Sequence, residues 1–171
     1  MIRDDHEILK ERAGVISGKQ GIKGTADNLL LVIEFSLIPE KYAIDGNYVT
    51  EVLPLKNLTV IPGTPVFVVG IINLRGKIIS VVNLKSFFDL KEKGISALHK
   101  VFVIKHEKME FGILADEIMG TKWLDMQTLS PPPINLHGSG LDYIQGVASD
   151  GTILLNARAI LSTRSIIVNQ K

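Results

Sequence analysis

What most limits the fold of this chain is that its apolar residues come in short, β-branched runs, with turn residues about every ten positions. From Leu29 the runs are Leu29–Ser36, Tyr42–Ile44, Val66–Ile72, Lys77–Val82, Lys100–Ile104, Met109–Leu114, Tyr143–Val147 and Ile153–Asn156, with a weaker pair at Trp123–Leu124. Such runs are too short for core helices and suit pleated, half-buried strands. Arg75-Gly76 and Glu107-Lys108 read as hairpin tips, and Asp150-Gly151 as a tight-turn signal between Gly146–Ala148 and Ile153–Asn156. Pro54, Pro62 and Pro65 argue against any helix before the third long run, because each lacks an N–H and has a fixed φ. Val49–Leu53 carries no decisive strand or helix pattern. Leu84–Leu90 reads as a short helical turn or loop, and Asn156–Leu161 as a closing helix capped by Asn156. The expected class is all-β with short helices, barrel-like. No internal repeat aligns, and periodicity does not distinguish one barrel from two.

The first 28 residues differ in character. Asp4, Glu7 and Gly14 are placed to cap and stop an amphipathic helix over 4–14. Residues 17–28 mix glycine with polar residues and read as a linker. The expected organisation is therefore a helix and linker over 1–28, a domain over 29–165 and a tail over 166–171. The opening Met1-Ile2-Arg3-Asp4-Asp5-His6 lacks the apolar segment of a signal peptide. The longest apolar runs fall far short of the roughly 20 residues a spanning helix needs. A soluble cytoplasmic protein without direct membrane insertion is expected.

Composition removes several function classes. With 46% apolar residues the chain is too apolar to remain disordered. Its formal charge is +1 and its lysines and arginines form no stripe, so phosphate neutralisation, and with it nucleic-acid binding, has little support. Without cysteine there are no disulfides and no zinc–thiolate sites.

Catalytic readings mostly fail. His6, His99, His106 and His137 are scattered, and His99 and His106 flank one expected strand too far apart to share a metal; all four are expected at the surface. His137-Gly138-Ser139-Gly140 lacks the strand-to-helix elbow that exposes a nucleophilic serine, and reads as a loop. A hydrolase using His137 and Ser139 therefore ranks low. Asp116-Glu117 ends an apolar strand; adjacent strand residues face opposite ways, so the two are expected to be solvated charges, not an acid/base pair. No dinucleotide or phosphate-loop fingerprint is present, and no cofactor is expected.

One segment stands apart. In Gly70-Ile71-Ile72-Asn73-Leu74-Arg75-Gly76-Lys77 an apolar strand enters a polar turn and returns as a second apolar strand. Gly70 inside so apolar a run implies a bend or a close backbone approach. Gly76 fits a positive φ, and Arg75 projects from the turn, free to meet a carboxylate or a partner.

The run Gly70 to Leu84 closely resembles the signature of the CheW family. Phe35 to Ile44, Val49-Thr50-Glu51-Val52, Ile61-Pro62-Gly63-Thr64-Pro65, Phe111 to Ile118, Tyr143 to Val147 and Ile153 to Asn156 resemble further family segments in the family's order. The resemblance implies two intertwined five-stranded SH3-like β-barrels sharing a hydrophobic core. It implies a non-enzymatic adaptor that links the cytoplasmic signalling tip of chemoreceptors to the regulatory domain of a CheA-type histidine kinase. Val49, Gly70, Arg75 and Gly76 match positions implicated in that recognition, and Glu51 matches a glutamate that pairs with the signature arginine. Asn73 and Leu74, in the same turn, complete the candidate set, with Val49 and Leu74 expected to expose apolar area beside Arg75. Asn83 stands where the family usually has Asp, and Ser80 where it often has Pro. An adaptor of a parallel pathway, such as surface motility or type IV pili, would look the same. A small-barrel peptide- or oligonucleotide-binding module lacks the aromatic platform it would need.

Overall fold

The computed structural model describes residues 26–91, 94–96, 98–133, 139–163 and 166. The expected helix over 4–14 and most of the linker lie outside these residues. Ala26–Asn28, assigned above to the linker, form a 3-10 turn leading into the first strand.

Ten strands follow in chain order: β1 (Leu29–Leu37), β2 (Glu40–Asp45), β3 (Val49–Pro54), β4 (Val68–Leu74), β5 (Lys77–Val82), β6 (Lys100–His106), β7 (Met109–Ala115), β8 (Glu117–Asp125), β9 (Ile144–Val147) and β10 (Ile153–Leu155). They form two five-stranded sheets, ordered β8-β1-β2-β10-β9 and β3-β6-β7-β5-β4. The second sheet is one contiguous stretch of chain inserted between β1–β2 and β8–β10 of the first, which is how the two units intertwine.

In each sheet a short bridge brings the two edges together. Past β3, Thr59 pairs with Ile71 of β4 through reciprocal backbone hydrogen bonds of 2.9 and 2.8 Å. Past β8, Ser130 pairs with Val147 of β9, both bonds 2.9 Å. Closing a small sheet on itself removes its aggregation-prone edges. The two units are referred to below as the first and second barrel.

The barrels have the same topology. Each centres on an antiparallel hairpin, β1–β2 or β6–β7. A single strand, β8 or β3, flanks one side, and a second hairpin lies parallel on the other, with β10 beside β2 and β5 beside β7. Both second hairpins end on an asparagine that caps a helix. Asn83 Oδ1 accepts from the Lys85 N–H (3.0 Å) ahead of the Leu84–Phe87 helix, and Asn156 Oδ1 from the Ala159 N–H (3.0 Å) ahead of Ala157–Ser162. The repeat that did not align in the sequence is thus Gly70…Arg75-Gly76…Val81-Val82-Asn83 against Gly146…Asp150-Gly151…Leu154-Leu155-Asn156.

Strand alternation sets three cores. Along β6, Val101 and Val103 point into the second barrel with Leu55, Ile72, Ile79, Val81 and Leu114. Phe102 and Ile104 point the other way, into a core shared with Phe35, Leu37, Tyr42 and Ile44 of the first barrel. Val32, Ala43, Leu124, Ala148 and Leu154 fill the first barrel. A strand buried on both faces needs no polar alternation, which is why these runs are continuously apolar. Phe35 and Phe102, one from each barrel, meet at 4.6 Å between ring centroids.

Two strands exceed the sequence expectation. Val49–Pro54 is a strand, masked in the sequence because its residues alternate between half-buried and exposed and a bulge lies between Val49 and Glu51. Trp123–Leu124 is part of the nine-residue β8, whose polar outer half carries little apolar signal.

Candidate functional site

The signature turn is a tight hairpin. Leu74 pairs with Lys77, leaving Arg75 (φ 52°) and Gly76 (φ 84°) as its two central residues. Positive φ at both is the type I′ geometry whose twist matches the flanking strands. For a non-glycine such as Arg75 it costs on the order of 1 kcal/mol. Asn73 offsets part of that cost, because its Oδ1 accepts from the Gly76 N–H at 2.8 Å.

Arg75 reaches across the barrel end. Its Nη2 donates to Glu51 Oε1 on β3 at 3.0 Å, with the arginine side chain 79% exposed and the glutamate 26%. Such an exposed pair contributes about 0–1 kcal/mol to stability. It holds the guanidinium in one place while leaving most of its donors directed at solvent. Beside it, Lys77 pairs with Glu110 of β7.

The candidate residues therefore separate. Glu51, Asn73, Arg75 and Gly76 come together at one end of the second barrel. Leu74 is half-buried against that barrel's interior, and Val49 is half-buried against the shared core, so neither supplies the exposed area expected of it. The exposed aliphatics on the same strands are Ile78, opposite Asn73 in the hairpin, and Val52, which follows Glu51 but lies on the other face of β3. Gly70 sits away from the turn, at the closing bridge. A Cβ there would lie 2.3 Å from the Thr59 carbonyl oxygen, so glycine is required by the close approach that the sequence implied. Gly146 plays the same part in the first barrel, where a Cβ would lie 3.0 Å from the Ser130 carbonyl oxygen.

The first barrel repeats the ion pair with its charges exchanged. Asp150, in the β9–β10 turn, accepts from Lys122 Nζ of β8 at 2.8 Å. That bond, together with the Thr152 N–H, holds the Asp150 carboxyl down at about 2. It also raises the Lys122 ammonium, with Glu34 adding to the effect.

Asp116 and His99 correct the sequence reading. Asp116 is not a solvated strand end. Its Oδ2 accepts from the Ile38 N–H (2.7 Å) and from Lys85 Nζ (2.7 Å), while its Oδ1 lies 2.8 Å from His99 Nε2. Burial alone would raise its pKa. The Lys85 bond, the Ile38 bond and the neighbouring Lys85 and His99 together outweigh burial and lower it. His99 is therefore not a free surface histidine. His106 stacks edge-on to Tyr48 at 5.5 Å, and Glu117 is exposed as expected. His6 and His137 lie outside the described residues, and with them the His137–Ser139 pairing. Among the described residues no group of three or more His, Cys, Asp and Glu is placed to hold a metal, and no helix is long and apolar enough to cross a membrane.

Asn83, where the family usually has Asp, needs no charge for its observed role, since its amide oxygen makes the helix-capping bond.

Comparison with known proteins agrees with this architecture. The CheW-like domain profile matches residues 31–165. The chain is 31% identical over 147 residues to the chemotaxis protein CheW of Treponema pallidum, covering 82% of this chain and 86% of that one. It is 28% identical over 127 residues to protein FrzA of Myxococcus xanthus, covering 72% and 79%. The crystal structure of the scaffolding protein TtCheW from Thermoanaerobacter tengcongensis superposes with a TM-score of 0.66 at 32% identity, covering 74% of this chain and 88% of that one. With its two intertwined barrels and its signature turn, the chain belongs to the family of CheW-like scaffold proteins of chemosensory signalling.

Proposed function

We propose that this protein is a non-enzymatic cytoplasmic adaptor that joins the signalling tip of chemoreceptors to the regulatory domain of a CheA-type histidine kinase. The observation that carries the reading is the Arg75–Glu51 pair: a guanidinium held on a tight turn and exposed, with exposed Ile78 opposite Asn73 in the same hairpin. A fixed charge beside apolar area is the make-up of a specific protein contact, in which burial supplies affinity and the charge sets register. Coupling two partners needs no reaction on the adaptor, only different affinity for the states of each. The likeness to FrzA supports a second reading, in which the same scaffold serves a parallel chemosensory pathway.

The test is a titration against the regulatory domain of the CheA-type kinase from the same cell, with an Arg75→Ala variant in parallel. Saturable binding that the variant weakens by about tenfold or more, with its melting temperature nearly unchanged, supports the reading. Binding that ignores Arg75 moves the turn to the receptor side. No binding to any such kinase leaves the scaffold without this job.

A further inference from the structure

Asp116 occupies the single position between the end of β7 and the start of β8, where the chain leaves the second barrel for the first. Its backbone N–H donates to the Ser36 carbonyl at 2.9 Å, and its carboxylate accepts from the Ile38 N–H at 2.7 Å. Ser36 is in β1, and Ile38 belongs to the turn joining β1 and β2. The same carboxylate takes Lys85 from the Leu84–Phe87 helix and His99 from the lead into β6, both parts of the second barrel. One residue thus ties three distant segments drawn from both barrels.

The histidine is itself oriented. Its Nδ1 is surrounded by Ser96, with the backbone N–H at 3.0 Å, the carbonyl oxygen at 3.1 Å and Oγ at 3.3 Å, which fixes the ring in either protonation form and turns Nε2 to Asp116 Oδ1 at 2.8 Å. The side chains of Lys85, His99 and Asp116 are 7%, 12% and 12% exposed, so water competes little for these bonds. The shared core holds the barrels together, but apolar contact is non-directional. Bonds to one carboxylate have direction.

We propose that Asp116 is a positioning residue that fixes the mutual orientation of the two barrels, and through it the thermodynamic coupling between partners docked on them. The second clause rests on the adaptor reading above; the first does not. No role of this kind follows from the signature turn, which lies at the far end of one barrel's hairpin and touches none of these groups.

The experiment compares the full chain with its Asp116→Asn variant. Asparagine keeps the shape but loses the charge and presents an NH2 to one of three donors. Expected in the chain alone are cooperative unfolding, amide exchange at Ile38 faster by about tenfold, and residual dipolar couplings that report a changed angle between the barrels. With partners, affinity for the kinase regulatory domain alone and for a soluble receptor tip alone should each change less than about twofold. The factor by which one partner alters the affinity for the other should fall toward one. Unchanged Ile38 exchange and unchanged dipolar couplings overturn the proposal, whether or not any partner binds. A changed angle with full coupling retained overturns its second clause. If Asp116→Asn does not fold, the double variant Lys85→Met, His99→Gln removes only the second-barrel donors. Dipolar couplings like those of the native chain in that variant also overturn the proposal.

Discussion

At the scale of single residues, the signature divides into a part that faces solvent and a part that is packed. Arg75 is exposed and its pair with half-buried Glu51 contributes little to stability, whereas Gly70 is structural: its missing side chain is what lets the Thr59 carbonyl pass. Gly70→Ala should therefore push the closing bridge open and cost about 1–3 kcal/mol, read as a lower midpoint in urea with little change in slope. The acid limit also belongs to single carboxylates. Asp150 falls from the ordinary 3.8 to about 2 in the fold, and Asp116 is lowered too. Both groups release their protons more readily when folded, so their contribution is complete above about pH 4 and is lost as pH falls through their lowered values. An acid titration of stability should show a decline between about pH 4 and 2 that Asp150→Asn makes shallower. Asp150 is half-exposed, so the effect is modest and weakens further with salt. Of these residues, Arg75, Glu51 and Gly70 were legible in the sequence. Asp116 was not, because its donors Ile38, Lys85 and His99 lie 17 or more positions away and no local pattern links them.

At the scale of elements, caps and turns behaved as local chemistry dictates. Arg75-Gly76 and Glu107-Lys108 are two-residue hairpin tips, Asp150-Gly151 lies within the longer turn over 148–152, and Asn156 caps the closing helix. The Ala157–Ser162 helix is under two turns long and survives by burying Ala157, Ile160 and Leu161 in the shared core, not by its own propensity. Asn156→Ala should cost about 1 kcal/mol by thermal unfolding, and Asn156→Asp should recover most of it. The same logic reads Asn83 as a cap. The elements that escaped the sequence are β3 and the outer half of β8, the flanking strands of the two barrels. Each pairs along one edge only and shows a mixed polar and apolar face, so it carries half the signal of a strand buried on both sides.

At the scale of the molecule, the two barrels are one topology used twice, with the turn-to-strand ion pair reversed: Arg75 to Glu51 in one, Asp150 to Lys122 in the other. A partner that reads charge will tell the two ends apart. The barrels are nevertheless one folding unit, because Phe35 and Phe102 pack ring to ring across the shared core. Phe102→Ala should cost roughly 3–5 kcal/mol. The lone tryptophan, Trp123, sits in the other barrel, on β8, so its fluorescence should lose the native signal at the same lowered denaturant midpoint as circular dichroism. Two separate transitions would show that the barrels unfold independently.

The sequence by itself determined the β-rich class, most strand positions, the hairpin tips, the helix cap and the signature turn. Each is written within a few consecutive residues, as a two-residue period, a positive-φ glycine or an asparagine before a helix. It did not reveal the internal repeat, since the matched hairpins differ in length and share few identical residues. Tertiary structure alone decided that β5 lies parallel to β7 and β10 to β2, that the middle of the chain forms a second barrel between the strands of the first, and that a strand-end aspartate becomes a half-buried junction. Those outcomes depend on contacts between residues tens of positions apart, whose partners are selected by shape and by hydrogen-bond satisfaction only once the chain has closed.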